Sequence, residues 1–308
     1  MKVIYSTDTI DNQRAYVATI GTFDGVHLGH KMILAALKQR SEELNLPSLL
    51  ITFYPHPRIV LNENKGDLNF LNTQNEKLSL LEKAGVDTVL LQEFSLEFSQ
   101  LNAKEFVEEY LQKRLNIKHL IVGYDHSFGK KTSEKQSPVE ELLQNAGIAC
   151  TIIPKQEIDA ISVSSTKIRK AIEQGDFNTA NTFLGYEFSL TGKVVEGEKI
   201  GRTLGFPTAN IQLVDNTKIL PALGVYAVKV LVNNKNYNGM LNYGYKPTLG
   251  NRKCVMEVNI FDFSEKIYGD DIQIFFTKKI RDERKFNSLD DLKLQLEKDK
   301  SEVQNQSI

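Results

Sequence analysis

The chain has 308 residues, 41% of them apolar and 25% charged, a length that suggests roughly two domains of about 150 residues each. Its 38 basic and 39 acidic residues nearly cancel, so no global positive field points to nucleic acid. Cys150 and Cys254 lack metal-ligand spacing and give no basis for a disulfide framework. The N-terminus lacks a signal-peptide core, and no stretch approaches the ~20 apolar residues of a membrane span. We expect a cytoplasmic protein with no nucleic-acid, membrane or obligate protein partner.

From residue 16 to about 184 the chain alternates between apolar strands and amphipathic helices. Strands are predicted at 16–20, 48–53, 87–91, 118–122 and 148–153, and helices near 28–44, 74–84, 103–114 and 138–146. This alternation is typical of a parallel sheet covered on both faces. Ligands of such sheets lie beyond the carboxyl ends of the strands. Polar or glycine-rich segments follow four of the predicted strands, at 21–30, 54–57, 123–129 and 164–169.

The first of these segments runs from Gly21 to His30 between a predicted strand and a predicted helix. Glycines at such a turn let the backbone approach a ligand, and the helix N-terminus behind them attracts anions. His27 and His30 add donors that stabilise charge developing on a phosphoryl group. The segment therefore predicts a nucleotide-phosphate site that performs chemistry. The alternatives are a capped helix start with incidental histidines, or a metal site completed by His56 or His126.

After about Gly185 the pattern changes to short strands. Strands are predicted at 188–195, 209–213, 224–232, 236–241, 254–263 and 272–277, with a hairpin turn at Asn233-Asn234. A helix capped by Ser288 follows, with Leu289, Leu292 and Leu296 on one apolar stripe. This pattern indicates a small antiparallel barrel with a terminal helix. We expect domains at 1–184 and 185–308.

The second half contains a dense motif from Gly201 to Asn210 that lacks the Gly-Lys-Ser/Thr ending of a Walker loop. Gly201 and Gly205 permit tight backbone paths. Thr208 and Asn210 offer hard neutral oxygens suited to Mg²⁺ that is held mainly by phosphates. The alternative is a glycine-rich turn that binds nothing.

Glu257 stands inside a strongly apolar strand pattern, where a carboxylate is costly unless it is paired or used. It would serve as a general base for a hydroxyl nucleophile, a role worth about 10²–10⁴-fold in rate. The alternative is an exposed glutamate on the outer face of the strand.

The decapeptide at 21–30 resembles the His-x-Gly-His signature of the nucleotidyltransferase superfamily, in the form carried by bacterial FAD synthetases. The Ser-Ser-Thr-x-x-Arg segment at 164–169 is similar to that family's phosphate-binding segment. The resemblance implies a Rossmann-like, HUP-type α/β domain, with His27 and His30 catalytic. It also implies ATP binding by Gly21, Thr22, Phe23, Asp24, Gly25, His27, His30, Ser164, Ser165, Thr166 and Arg169, and contact with flavin or nucleotide by His56, Asp125 and Phe128. His126 and Ser127 depart from the family pattern.

The motif at 201–210 resembles the ATP·Mg²⁺ motif of riboflavin kinases, and Glu257 stands where that family has its catalytic carboxylate. The segments at 224–228, 242–248 and 281–286 follow in the family's order, with departures at Tyr243 and Lys246. The resemblance implies a riboflavin kinase-like barrel in which Gly201, Gly205, Phe206, Pro207, Thr208 and Asn210 bind ATP. It implies Mg²⁺ at Thr208 and Asn210, and flavin contacts from Arg281 and Phe286.

The two sets of motifs occur on one chain in the same order as in the bifunctional riboflavin kinase/FAD synthetase family, which this chain resembles. The resemblance implies a two-step enzyme. Riboflavin would be phosphorylated by ATP to FMN, and FMN would then be adenylylated by a second ATP to FAD with release of pyrophosphate. Three alternatives remain open at this point. They are an adenylyltransferase for another mononucleotide or for phosphopantetheine, a non-catalytic flavin-responsive regulator, and an enzyme with a nucleic-acid-binding barrel.

Overall fold

A computed structural model describes residues 1–61, 69–124, 139–154, 163–197, 200–246 and 253–305. The contacts divide the chain into two compact units, Met1–Ser165 and Thr166–Ile308. The domain boundary expected after residue 184 stays a prediction.

The first unit is built on a parallel sheet of six strands. They are β1 (Lys2–Ile4), β2 (Tyr16–Ile20), β3 (Ser48–Tyr54), β4 (Thr88–Glu93), β5 (Ile117–Gly123) and β6 (Ala149–Ile153). Their order is β1-β4-β3-β2-β5-β6, and every neighbouring pair is parallel. The predicted parallel sheet is confirmed. The pattern missed β1, whose three residues pair with β4 at the edge of the sheet.

Helices accompany the strands of this sheet. They are α1 (Leu28–Leu44), α2 (Pro57–Val60), α3 (Gln74–Lys83), α4 (Ala103–Glu105), which continues as a π-helix over Phe106–Arg114, and α5 (Val139–Asn145). Alternate residues of β3 enter different cores: Leu50 packs with Leu37 of α1, whereas Leu49 packs with Leu111 of the π-helix. The sheet is therefore covered on both faces, as the apolar strands predicted.

The second unit is a closed barrel. Its strands are β7 (Ser189–Val195), β8 (Ala209–Leu213), β9 (Gly224–Val232), β10 (Lys235–Lys246), β11 (Lys253–Ile260) and β12 (Asp271–Arg281). They close in the order β10-β11-β8-β7-β12-β9, with every neighbouring pair antiparallel. The predicted antiparallel barrel is confirmed.

The described residues of this half also form helices. They are α6 (Ser165–Gln174), α7 (Phe177–Leu184), α8 (Ile200–Thr203) and α9 (Leu289–Asn305). Ser288 caps α9 as predicted, because its Oγ accepts a hydrogen bond from the Asp291 N–H at 3.1 Å. The short helix α8 was not predicted.

Helix α7 packs on the barrel through a buried aromatic cluster. Phe177 stacks on Phe276 of β12 at 4.7 Å between ring centroids and meets Tyr226 of β9 edge-on. The Asn181 amide donates to the Phe276 carbonyl at 2.9 Å and accepts from the Phe188 N–H at 2.7 Å. These contacts fasten α7 to the start of the barrel.

Candidate active sites

The turn between β2 and α1 has an unusual backbone. Gly25 has a φ of +88°, in the left-handed region that glycine adopts without steric cost. Phe23 and Val26 also lie there, with φ values of +49° and +35°, although neither residue type favours this region. Such strain costs about 1–3 kcal/mol per residue and persists where the surroundings enforce it, often at functional sites.

The two histidines of this turn lie against each other at the start of α1. The His27 Nδ1 accepts a hydrogen bond from the backbone N–H of His30 at 3.3 Å, so His27 is the N-cap of the helix. In its neutral form the His27 ring carries its proton on Nε2. The two rings stack at 3.7 Å with an interplanar angle of 12°. A Cβ at Gly29 would meet the His27 ring at 3.3 Å, so glycine leaves room for this stack.

His30 is kept neutral. Burial lowers its pKa well below the usual value, and the neighbouring His27 and Lys77 lower it further. Its Nδ1 is buried and has no hydrogen-bond partner within the described part of the chain. A buried polar atom without a hydrogen-bond partner is uncommon in folded proteins.

Beneath the turn lies Lys77 of α3, which the sequence analysis did not single out. It is 9% exposed, and its Nζ lies 3.4 Å from the Thr22 carbonyl oxygen and 3.3 Å from the Thr52 Oγ1. Burial lowers the pKa of Lys77 to about 8, partly opposed by the nearby Asp24 carboxylate. The sequence carries one indication of this burial, since Lys77 stands one helical turn before the buried Leu81.

Asp24 is buried, and its Oδ1 accepts from the N–H groups of Leu71 at 2.9 Å and Asn72 at 3.4 Å. The carboxylate therefore ties the turn to the segment that precedes α3. The Asp24 carbonyl accepts from the Ser165 Oγ at 2.9 Å, which brings the segment at 164–165 to the turn. Thr166 and Arg169 lie in the other unit.

His56 caps α2, with its Nδ1 accepting from the Arg58 N–H at 3.2 Å, and its ring lies 5.2 Å from that of Phe70. The peptide bond between Tyr54 and Pro55 just before it is cis. Asp125, His126, Ser127 and Phe128 lie outside the described residues.

In the second unit, a cavity of about 350 Å³ opens between the barrel and α9. Its polar lining includes Glu257, Asn242 and Glu283, and its apolar lining includes Leu204, Met240 and Leu296. Glu257 therefore faces a cavity rather than bulk solvent. This placement disfavours the alternative of an exposed glutamate on the outer face of the strand.

Three polar side chains form a row across neighbouring strands of the barrel. Glu257 of β11 lies directly opposite Asn210 of β8 on one side and Asn242 of β10 on the other. Two positions along β11, the Asn259 amide donates to the Pro207 carbonyl at 2.6 Å. This bond fastens the glycine-rich turn beside the row.

The turn from Gly201 to Phe206 is compact. The Phe206 N–H donates to the Gly201 carbonyl at 2.8 Å, and a Cβ at Gly201 would collide with the Phe206 carbonyl oxygen. Gly205 has a φ of +83°. Both glycines are thus required by the backbone path.

A second cavity of about 370 Å³ lies on the other side of this turn and is lined by Pro207, Ala209, Val258 and Tyr268. Thr208 lines this cavity and the first one. A group that spans both cavities would therefore pass Thr208.

Arg281 also lines the first cavity, but its guanidinium is held by α9. Its Nε lies 3.0 Å and its Nη2 2.8 Å from the Asp299 Oδ2. Asp299 is 1% exposed and also accepts from the Gln295 amide at 2.6 Å. The Arg281 and Arg284 guanidinium carbons lie 5.6 Å and 4.7 Å from the Phe286 ring centroid. Asp299 was missed, although it continues the Leu292 and Leu296 stripe of α9.

Among the described residues, no group of three or more histidine, cysteine, aspartate or glutamate side chains is placed to hold a metal ion. Metal held mainly by substrate phosphates needs no such group. None of the described helices combines the length and apolarity that crossing a membrane requires.

Two family models match the chain: FAD synthetase over residues 9–167 and riboflavin kinase over residues 184–307. The bifunctional riboflavin kinase/FMN adenylyltransferase of Bacillus subtilis is 40% identical over 298 residues, which cover 95% of this chain and 93% of the relative. The Listeria monocytogenes protein with the same description is 38% identical, over 93% and 91% of the two chains.

A crystal structure from Streptococcus pneumoniae, described as a macrolide-efflux protein, has 34% identity and a TM-score of 0.88 and covers 99% of both chains. The fold is thus shared along nearly the full length. Both family models match, and the Bacillus subtilis and Listeria monocytogenes relatives are 40% and 38% identical over most of their length. The chain therefore belongs to the family of bifunctional riboflavin kinases/FMN adenylyltransferases.

Proposed function

We propose that the barrel phosphorylates riboflavin to FMN and that the α/β unit transfers AMP from a second ATP to FMN, giving FAD and pyrophosphate. The observation that carries this proposal is the presence on one chain of two sites whose assigned residues, apart from Arg169, lie inside the matching family models. We assign the two activities to residues 185–308 and 1–184, respectively.

In the barrel, Glu257 accepts the proton of riboflavin's terminal ribityl hydroxyl. The hydroxyl oxygen attacks the γ-phosphorus of ATP, and the bond to the bridging oxygen breaks to release ADP. The apolar lining of the first cavity suits the flavin ring, with Arg281 and Phe286 at its wall. Phosphoryl transfer of this kind depends mainly on positioning and charge stabilisation.

ATP occupies the second cavity in this proposal, and its phosphates pass Thr208 toward Glu257. Gly201, Gly205, Phe206 and Pro207 form the turn over them. The oxygens of Thr208 and Asn210 fit Mg²⁺, since Thr208 borders both cavities and Asn210 lies opposite Glu257. When bound, Mg²⁺ neutralises charge on the phosphates.

In the α/β unit, His27 and His30 donate to the α-phosphate of ATP while an FMN phosphate oxygen attacks it and pyrophosphate leaves. The strained turn from Gly21 to Gly25 and the α1 N-terminus surround the phosphates. The remaining ATP contacts come from Ser164, Ser165, Thr166 and Arg169, and the flavin or nucleotide contacts from His56, Asp125 and Phe128. The stacking of the two imidazoles and the lowered pKa of His30 support this assignment.

Incubation of the full chain with riboflavin, ATP and Mg²⁺, followed by chromatography, tests the proposal. FMN is expected first and FAD second, and added FMN alone is expected to give FAD. Conversion of neither flavin would overturn it, and adenylylation of nicotinamide mononucleotide in place of FMN would reassign the first unit. We further propose that the enzyme acts in the cytoplasm without an obligate protein, nucleic-acid or membrane partner.

A further inference from the structure

We propose that Lys77 is a positioning residue for adenylyl transfer, fixing the turn that carries His27 and His30. This inference rests on the function proposed above for the α/β unit. It concerns a side chain from a different helix, α3, whose ammonium group lies beneath the turn.

The ammonium group joins three elements. Lys77 Nζ donates to the Thr22 carbonyl at 3.4 Å and to the Thr52 Oγ1 at 3.3 Å, and that hydroxyl donates to the same carbonyl at 3.2 Å. Thr22 immediately precedes Phe23, the first residue of the turn in the left-handed region. Helix α3 and strand β3 thus hold the carbonyl at which the strained path begins.

A second connection runs from the turn to the start of the same helix. The Asp24 Oδ1 accepts from the N–H groups of Leu71 and Asn72. Thr73, directly after Asn72, caps α3 in a capping box with Glu76. The turn is therefore anchored to α3 at the helix N-terminus and again one turn further along, at Lys77.

The titratable groups around Lys77 and His30 include the Asp24 carboxylate of the turn and His27, the N-cap of α1. The Asp24 carboxylate raises the Lys77 pKa, while burial lowers it to about 8. The Lys77 cation and His27 both lower the pKa of His30. Strand β3 contributes the uncharged Thr52. Below about pH 8, Lys77 is therefore a buried cation beside a neutral His30.

A buried ammonium is costly for stability, because water no longer solvates the charge. A methionine or leucine at this place on α3 would avoid that cost. The position of Lys77 is therefore better explained by what it does to the turn and to His30 than by its contribution to folding.

The test compares Lys77→Met with Lys83→Met, an exposed lysine on the same helix. Lys77→Met is expected to lower kcat for FAD formation from FMN by about 10²-fold, since small misplacements of reacting groups cost that much. Riboflavin phosphorylation by the same chain stays within twofold, and the Tm does not fall. FAD formation within twofold of the Lys83→Met control would overturn the inference, as would a Tm loss that accounts for the lost activity.

The pH profile supplies a readout that a purely structural lysine would not move. Wild-type FAD formation is expected to decline as Lys77 loses its proton near pH 8. Lys77→Arg keeps its charge at that pH and is expected to move the decline upward. A decline that stays at the same pH in Lys77→Arg would assign it to another group and overturn this part of the inference.

Thr52→Val provides a second variant if Lys77→Met does not fold, because it removes only the hydroxyl that Lys77 and the Thr22 carbonyl share. A loss of roughly three- to tenfold in FAD formation is expected, and no loss would contradict the inference.

NMR titration of the five histidines separates this inference from the proposed function. The His30 pKa is expected to rise in Lys77→Met whether or not FMN is the substrate. An unchanged His30 pKa would overturn the electrostatic role even in an active enzyme. An inactive wild type with a shifted His30 would overturn the proposed function alone.

Discussion

The two units hold their candidate sites with different electrostatics. Under the turn of the α/β unit lies a buried ammonium, Lys77, whose hydrogen bonds go to a carbonyl and a hydroxyl. In the barrel, the cavity wall is held by the Arg281 guanidinium on the buried Asp299 carboxylate. Burial lowers the pKa of Lys77. The guanidinium and carboxylate instead offset each other's desolvation, because Nε of Arg281 donates to both Asp299 oxygens and Nη2 donates to Oδ2. Removing the Lys77 charge is therefore expected to stabilise the α/β unit, whereas removing the Asp299 charge is expected to destabilise the barrel.

The largest effects come from separating the two chemistries. Glu257→Gln is expected to lower FMN formation from riboflavin by about 10²–10⁴-fold, because the proton acceptor is lost. FAD formation from supplied FMN is expected to persist. The double variant His27→Ala with His30→Ala is expected to do the reverse, losing about 10²-fold or more in FAD formation. Chromatography of both products measures each step. A folded variant that lost both activities would contradict two independent sites.

Breaking the buried ion pair gives the next largest effect. Asp299→Ala leaves the Arg281 guanidinium in the cavity wall without its carboxylate, and is expected to lower the free energy of unfolding by about 3–5 kcal/mol. The KM for riboflavin is expected to rise, while FAD formation from FMN is unchanged. Urea unfolding followed by circular dichroism measures the stability.

Asp290→Ala is the matched control, since Asp290 is exposed in the first turn of the same helix. Its expected loss is below about 1 kcal/mol. Equal losses in the two variants would mean that the ion pair contributes nothing beyond the charge of an ordinary helix aspartate.

The fold could be predicted where its cause is local. The period of apolar residues gave the parallel sheet and the barrel, because burial on one or both strand faces leaves its pattern in the chain. Asn233-Asn234 was predicted as a hairpin turn, and the pairing of β9 with β10 confirms it. The φ values of +50° and +58° lie in the left-handed region, which asparagine tolerates. The edge strand β1 was missed because three residues carry too little pattern.

The site was less accessible to prediction where side chains from distant segments meet. The motif at 21–30 indicated phosphate chemistry from its residue types alone. The one local sign that Lys77 is buried, unlike Lys83 of the same helix, was its place one turn before Leu81, because its burial depends on how α3 packs under the turn. Asp299 is separated from Arg281 by 18 positions, so a motif could not reveal their pairing. The strain at Phe23 and Val26 likewise comes from tertiary contacts rather than from these residue types.

The pH dependence of stability tests whether the buried Lys77 ammonium destabilises the folded chain. Its pKa is about 8 in the folded chain against 10.5 for an ordinary lysine. Between these values the unfolded chain holds the proton and the folded chain does not, so the free energy of unfolding rises with pH. The rise amounts to at most about 3 kcal/mol. It should be present in the wild type and missing in Lys77→Met when urea midpoints are compared from pH 7.5 to 10. Parallel curves for the two proteins would show that Lys77 titrates normally.

The smallest predicted effect concerns the histidine stack itself. Gly29→Ala places a Cβ 3.3 Å from the His27 ring, closer than ordinary contact, so the ring must shift by a few tenths of an ångström. Alanine also favours the helix by about 1 kcal/mol over glycine, so the Tm is expected to hold or rise. FAD formation is expected to fall roughly three- to tenfold, because a shift of this size is smaller than the ~1 Å that costs 10²-fold. Riboflavin phosphorylation by the same protein is the internal control. Unchanged FAD formation would show that adenylyl transfer tolerates movement of His27, and the strained turn would then need another explanation.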